Sequence, residues 1–182
     1  NQRKQVLVAW YNETDGYNSA SNLTTPLSYN EPGDYVIEAN PAAGSTAGAP
    51  STGWVALVTV TGNTVHSRSH IVDLTGYNWI RFRSTRGAAA NQPGNTDVEI
   101  KLEIYDAHLG NTNSWAFLGD SITNGGMNHL EHGDMNFAQR VNASVPSHFP
   151  MYENAGQPFD RGIDEGMTRL NTLLANTKAT YI

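Results

Sequence analysis

Up to about Gly110 the apolar positions of this chain recur with a period of two. Asp97 to Tyr105 places Val98, Ile100, Leu102 and Ile104 on one face and Glu99, Lys101, Glu103 and Tyr105 on the other. That alternation is what a half-buried antiparallel strand requires, with the charged face in water. Gln5 to Trp10, Gly53 to Val60, Thr64 to Val72 and Tyr77 to Ser84 read the same way. Turn chemistry separates them: Thr61-Gly62-Asn63, Thr75-Gly76, Gln92-Pro93-Gly94-Asn95, and a Pro/Ala/Gly/Ser-rich stretch from Asn40 to Gly53. Short strands at this spacing predict a β-sandwich of jelly-roll type.

After Asn113 the period changes. An apolar strand, Ser114 to Leu118, runs into a glycine-rich loop, and Asp134 is positioned to cap a helix with Met135, Ala138 and Val141 on one face and Phe137 at its edge. A short strand follows around Met151-Tyr152-Glu153. A second helix is expected from about Asp160 to Thr177, with Ile163, Met167, Leu170 and Leu174 as its apolar stripe. Ala179 to Ile182 reads as the start of a third strand. Strand, helix, strand, helix, strand is the order of a parallel α/β sheet. Two domains are therefore expected, residues 1–112 and residues 113–182.

Composition narrows the function classes. The 182 residues are 38% hydrophobic and 15% charged, with a net charge of -6 and no cysteine. Nucleic acid is not an expected partner, because phosphate binding needs clustered Lys and Arg. Thiolate metal sites and disulfides are excluded. No apolar run approaches bilayer-spanning length, so no membrane partner is expected either. The chain starts at Asn1 without Met, and sequons begin at Asn12, Asn22 and Asn142. Together these favour a secreted protein.

The chemistry concentrates in Phe117-Leu118-Gly119-Asp120-Ser121-Ile122-Thr123, continuing through Gly125-Gly126-Met127. A serine at the C-terminal end of the first strand of an open sheet lies where such folds bind ligands. This segment resembles the first conserved block of the SGNH/GDSL hydrolase superfamily, and Asn154-Ala155-Gly156 resembles the second. The resemblance implies a flavodoxin-like α/β fold, Ser121 as nucleophile, and the backbone N–H groups of Ser121 and Gly156 as oxyanion-hole donors. It implies no cofactor and no metal. It covers residues 114–182, about the first half of such a domain. The Gly-x-Asn-Asp and Asp-x-x-His blocks that would bring a side-chain oxyanion donor, the base and its carboxylate have no counterpart after Gly156. Without a base Ser121 should be nearly inert. A second polypeptide carrying the C-terminal half is the expected partner.

Four histidines and one tryptophan complete the candidates. His129 and His132 match no zinc-hydrolase spacing, and a metal-dependent reading would need a third ligand. They read as a solvated loop over the active-site mouth. His66 and His70 share a strand face but lack an acidic companion at ligand spacing, which makes them structural. Trp79 projects with Arg81 and Arg83, opposite Ile80 and Phe82. It is either a sugar platform for the substrate or, the preferred reading, part of the sandwich core or the interdomain seam. The first domain also resembles the β-sandwich carbohydrate-binding-like modules that precede some carbohydrate esterases. The expected function is thus a serine esterase removing acyl groups, acetyl foremost, from a carbohydrate. The competing expectation is a non-catalytic carbohydrate-binding protein with a vestigial hydrolase segment.

Overall fold

The computed structural model describes residues 5–12, 31–44, 48–63, 65–87, 98, 100–128, 135–148, 150–156 and 165–182. Its elements in chain order are β1 (Gln5–Asn12), β2 (Pro32–Asn40), β3 (Val55–Val60), β4 (Ser67–Asp73), β5 (Trp79–Gly87), β6 (Ile100–Asp106) and β7 (Ser114–Gly119). Then come α1 (Ser121–Asn128), α2 (Phe137–Ser144), β8 (Met151–Gly156) and α3 (Glu165–Asn176). The first six strands form two antiparallel sheets ordered β4-β1-β6 and β3-β2-β5, and β7 and β8 form a parallel pair.

The two antiparallel sheets face each other across an aromatic core. Val6, Val8 and Trp10 from β1 meet Tyr35 and Ile37 from β2, with Phe82 and Ile80 packed against them. Trp10 stands edge-on to Tyr35 at 5.6 Å between ring centres, and Tyr35 stacks on Phe82 at 4.7 Å. Such offset and edge contacts add to what burial of the ring area contributes.

β1 does not alternate as a half-buried strand. Every residue from Val6 to Tyr11 is buried. Its second face, Leu7 and Tyr11, packs on Met151, Ala107, Met127, Ala138 and Tyr152. The unbroken apolar run Val-Leu-Val-Ala-Trp-Tyr is the pattern of a strand covered on both sides. The β4-β1-β6 sheet is consequently a middle layer.

That middle layer closes over the edge of β8. Tyr152 and Glu153 are neighbours on one strand, so they point to opposite faces. Both nevertheless reach the middle sheet: Tyr152 clusters with Tyr11 and Tyr105, while Glu153 accepts from Ser67 at 2.8 Å. The sheet must therefore lie across the strand edge, which protects backbone groups that β8 would otherwise present to solvent. All six β8 residues are buried.

Helices cover both faces of the parallel pair. Phe117 meets Phe137 at 4.9 Å on the α1/α2 side, and Ala116 and Ala155 meet Leu173 on the α3 side. On the far edge of β7 the chain returns at Tyr181, bridging Trp115 in parallel, with Ala116 N–H donating to the Tyr181 carbonyl at 2.8 Å. The start of a third strand is thus laid beside β7.

Further expectations need correction, the first being the glycine-rich loop after Leu118, which is the helix α1. The helix after residue 134 is capped by Asn136, whose side chain accepts from Gln139 N–H while the Gln139 side chain accepts from Asn136 N–H. Asp134 lies outside the described residues. This reciprocal capping box outcompetes a cap placed earlier, and Met135 is left exposed. In α3 Leu173 is buried, while Met167 and Leu174 are 61% and 53% exposed, and Ile163 lies outside the described residues. The stripe is rotated because Arg169 faces the parallel strands. In β6 the apolar face does lie on the sandwich side, where Ile100 packs against the core, but the opposite face is not left in water. Leu102 and Ile104 are exposed, whereas Glu103 and Tyr105 turn towards the α/β part and are half-buried. β6 is an edge strand of the middle sheet, so which side is covered depends on what docks there.

Candidate active site at the end of the parallel strands

Gly119 and Gly156 end β7 and β8 side by side, as partners in register. Each glycine is required by contact. A Cβ on Gly119 would meet Thr123 Oγ1 at 2.1 Å, and one on Gly156 would meet Asn124 N at 2.4 Å and Asp120 O at 3.0 Å. Any larger residue would push the first turn of α1 away from the strand ends. The two sequence segments Gly119–Thr123 and Asn154–Gly156 are therefore in direct backbone contact.

Ser121 opens α1 and is exposed. The preceding Asp120 accepts from Ile122 N–H at 2.8 Å, fixing the turn. The Ser121 hydroxyl and N–H have no hydrogen-bond partner among the described residues. An N–H at the first turn of a helix is one of those the helix itself leaves unpaired. The second expected oxyanion donor is occupied: Gly156 N–H donates to Asn154 Oδ1 at 3.0 Å. To act on a ligand it must share or leave that acceptor.

Asn154 of the second motif and two residues that sequence reasoning missed, Asn124 and Arg169, hold this arrangement. Asn124 donates to the Gly156 carbonyl at 3.1 Å, and Asn154 donates to the Asn124 carbonyl at 3.0 Å, both buried. From α3, Arg169 donates to the Ala155 carbonyl at 3.1 Å and to the Gly119 carbonyl at 3.2 Å. One guanidinium thus clamps the ends of both strands, a geometry suited to its planar fork. A lone Arg in a helical stripe of Leu and Met was the only trace of this in the sequence.

Glu153, one residue before the second motif, is fully enclosed. Its carboxyl accepts from Ser67 and from Thr177, each at 2.8 Å, and Lys178 N–H donates to Ser69 beside it at 2.7 Å. Burial pushes its pKa up, against the hydroxyl hydrogen bonds from Ser69, Ser67 and Thr177. The cluster joins β4, β8 and the segment after α3.

The histidines divide. His129 and His132 lie outside the described residues. His70 is buried, hydrogen-bonds Tyr35 at 2.7 Å, and has its pKa lowered to about 4 by burial, so it is a neutral structural residue. His66 does have an acidic companion. Glu31, remote in sequence and buried, contacts its Nδ1 at 2.5 Å. Spacing along the chain could not reveal a partner 35 residues away. Neither histidine hydrogen-bonds Ser121, and the described residues hold no group of three or more metal-ligating side chains.

Trp79 belongs neither to the core nor to the seam. Ile80 and Phe82 take the core side of β5, and Trp79 lies half-buried on the outer face, its Nε1 donating to the Ala43 carbonyl at 3.2 Å. The middle sheet stands between that face and Ser121. No family model, curated protein or solved structure matches this chain.

Proposed function

We propose that the chain carries the nucleophile and the first two motif blocks of an SGNH/GDSL-type serine esterase that removes acyl groups, acetyl foremost, from a carbohydrate. The carrying observation is the juxtaposition of Gly119–Thr123 with Asn154–Gly156 at the ends of two parallel strands, beneath an exposed Ser121 that has no hydrogen-bond partner among the described residues. Strand ends in parallel sheets are where such folds place ligands. The finer fold assignment goes with this reading: a jelly-roll sandwich followed by the N-terminal half of a flavodoxin-like domain, in a secreted protein.

In the proposed reaction Ser121 Oγ attacks the ester carbonyl as its proton passes to an imidazole. The tetrahedral oxyanion takes hydrogen bonds from Ser121 N–H and, once freed, Gly156 N–H. Collapse expels the sugar alkoxide, which receives the proton from the imidazole. Water then repeats the sequence on the acyl-serine and releases the acid. The resemblance puts the base in the C-terminal half of such a domain, and we assign it to a second polypeptide carrying that half. Support comes from apolar surface around the incipient third strand: Met167, Leu174, Tyr181 and Ile182 are all about half exposed or more.

The test uses native material containing that companion. Ser121→Ala should lower kcat for an aryl acetate by more than about 10³-fold with no loss of thermal stability. Activity kept within a few-fold, or labelling of another residue by a serine-directed phosphonate, would overturn the assignment.

A further inference from the structure

We propose that the outer face of the β3-β2-β5 sheet binds an acidic oligosaccharide, with Arg81 and Arg83 holding a uronate carboxylate beside the ring of Trp79. The site is built on Glu38, which is buried although it sits on the outer face of β2. Arg81 Nε donates to Glu38 Oε2 at 2.8 Å, Arg83 Nε donates to the same oxygen at 2.9 Å, and Arg83 Nη2 donates to Oε1 at 3.2 Å. These bonds hold the carboxylate ionised, its pKa down at about 2, chiefly through Arg83.

The two arginines are anchored without being used up. Among the described residues Arg81 is hydrogen-bonded only through Nε, and its guanidinium carbon lies 4.0 Å from the centre of the Trp54 ring. Its two Nη groups, and Nη1 of Arg83, have no partner among the described residues. A guanidinium fixed at one corner and stacked on an indole is preorganised to present its remaining N–H groups to a carboxylate in pairs. Arg81 and Arg83 side chains are 37% and 47% exposed. One carboxylate against two guanidinium groups leaves a positive charge in excess here, on a chain whose net charge is -6. The neighbouring Asp34 and Arg86 neutralise each other at 2.8 Å.

Charge complementarity selects an anion, and the aromatic residues select its kind. Trp79 precedes Arg81 along the same face of β5, and Arg81 stacks over Trp54, so flat apolar rings border the cationic pair. A pyranose stacks its C–H face on such a ring while its substituents hydrogen-bond alongside. A uronate residue satisfies both requirements within one sugar. The site is separated from Ser121 by the middle sheet, and the inference holds whether or not Ser121 is catalytic.

Isothermal titration of the chain with tetragalacturonate at low ionic strength tests this. Saturable binding is expected, weakened about tenfold or more by Trp79→Ala and by Arg81→Lys, the latter keeping the charge but losing the fork. Unchanged circular dichroism would show that both variants fold, and Arg83→Gln serves if either does not. Phosphonate labelling of Ser121 in native material that contains the companion, read in parallel, keeps the two sites distinguishable. No saturable binding, affinity unaltered by all three variants, equal affinity for neutral cellotetraose, or equal affinity for a polyglutamate peptide would each overturn the proposal.

Discussion

Glu153 and His70 are buried titratable residues with opposite consequences for stability. Burial raises the Glu153 pKa above its ordinary 4.5, so between 4.5 and the raised value the native chain binds more protons than the unfolded one. Stability contributed there is complete below 4.5 and declines as pH rises. His70, lowered from 6.5 to about 4, is neutral when folded, and the unfolded chain takes up its proton first on acidification. Its contribution is complete above 6.5 and is lost towards 4. Glu153→Gln keeps the shape and a hydrogen-bonding amide but removes the titration. The stability of this variant relative to wild type, from urea midpoints, should therefore rise as the pH increases above 4.5. Parallel curves would show that the carboxyl is not enclosed as described.

At the level of elements, α1 shows how two kinds of glycine differ. Gly156 is pressed against the first turn of the helix, with backbone atoms inside 3 Å of where a Cβ would sit. Gly156→Ala should cost about 1–3 kcal/mol, as overpacking against an unyielding neighbour does, and should shift Ser121. Gly125 is inside α1 with nothing within 4 Å of its would-be Cβ. Gly125→Ala should stabilise the chain by up to about 1 kcal/mol. Chemical denaturation of the pair checks both signs. A tolerated Gly156→Ala would mean that helix and strand end are not in contact.

Across the whole molecule, the middle sheet belongs to two cores at once. Leu7, Ala9, Tyr11 and Ala107 are buried, and Leu7, Tyr11 and Ala107 pack on the α/β part while Val6, Val8 and Trp10 pack on the outer sheet. Residues 1–112 on their own would expose that second face, each large side chain forfeiting roughly 1.5–3 kcal/mol of burial. The 182-residue chain should melt in one transition. A 1–112 fragment should bind a hydrophobic dye and melt more than about 10 °C lower. A fragment that melts with the intact chain and stays dye-free would make the two parts independent.

Periodicity did not show β2, and it read the glycine-rich α1 as a loop. Together with motif chemistry it alone determined the other strands and helices, the change from strands to alternating strand and helix near residue 113, and Ser121 at a strand end. These are local properties: a period of two or of 3.6, a glycine, an apolar run. The strand–serine step at Leu118 to Ser121 needed nothing beyond its own neighbours. Which faces are covered was decided by tertiary structure, because burial depends on what docks. That is why β6 turned Glu103 and Tyr105 inward, why α3 buried Leu173 and aimed Arg169 at Gly119 and Ala155, and why Trp79 came to lie outside. Partners remote along the chain, such as Glu31 for His66 and Ser67 for Glu153, were likewise invisible, since no spacing rule relates residues that meet only when sheets pack. Even the misjudged β1 had its explanation in plain view, for Val6 to Tyr11 is apolar at every position. The composition told of two covered faces, but only the packed sheets could say what covers them.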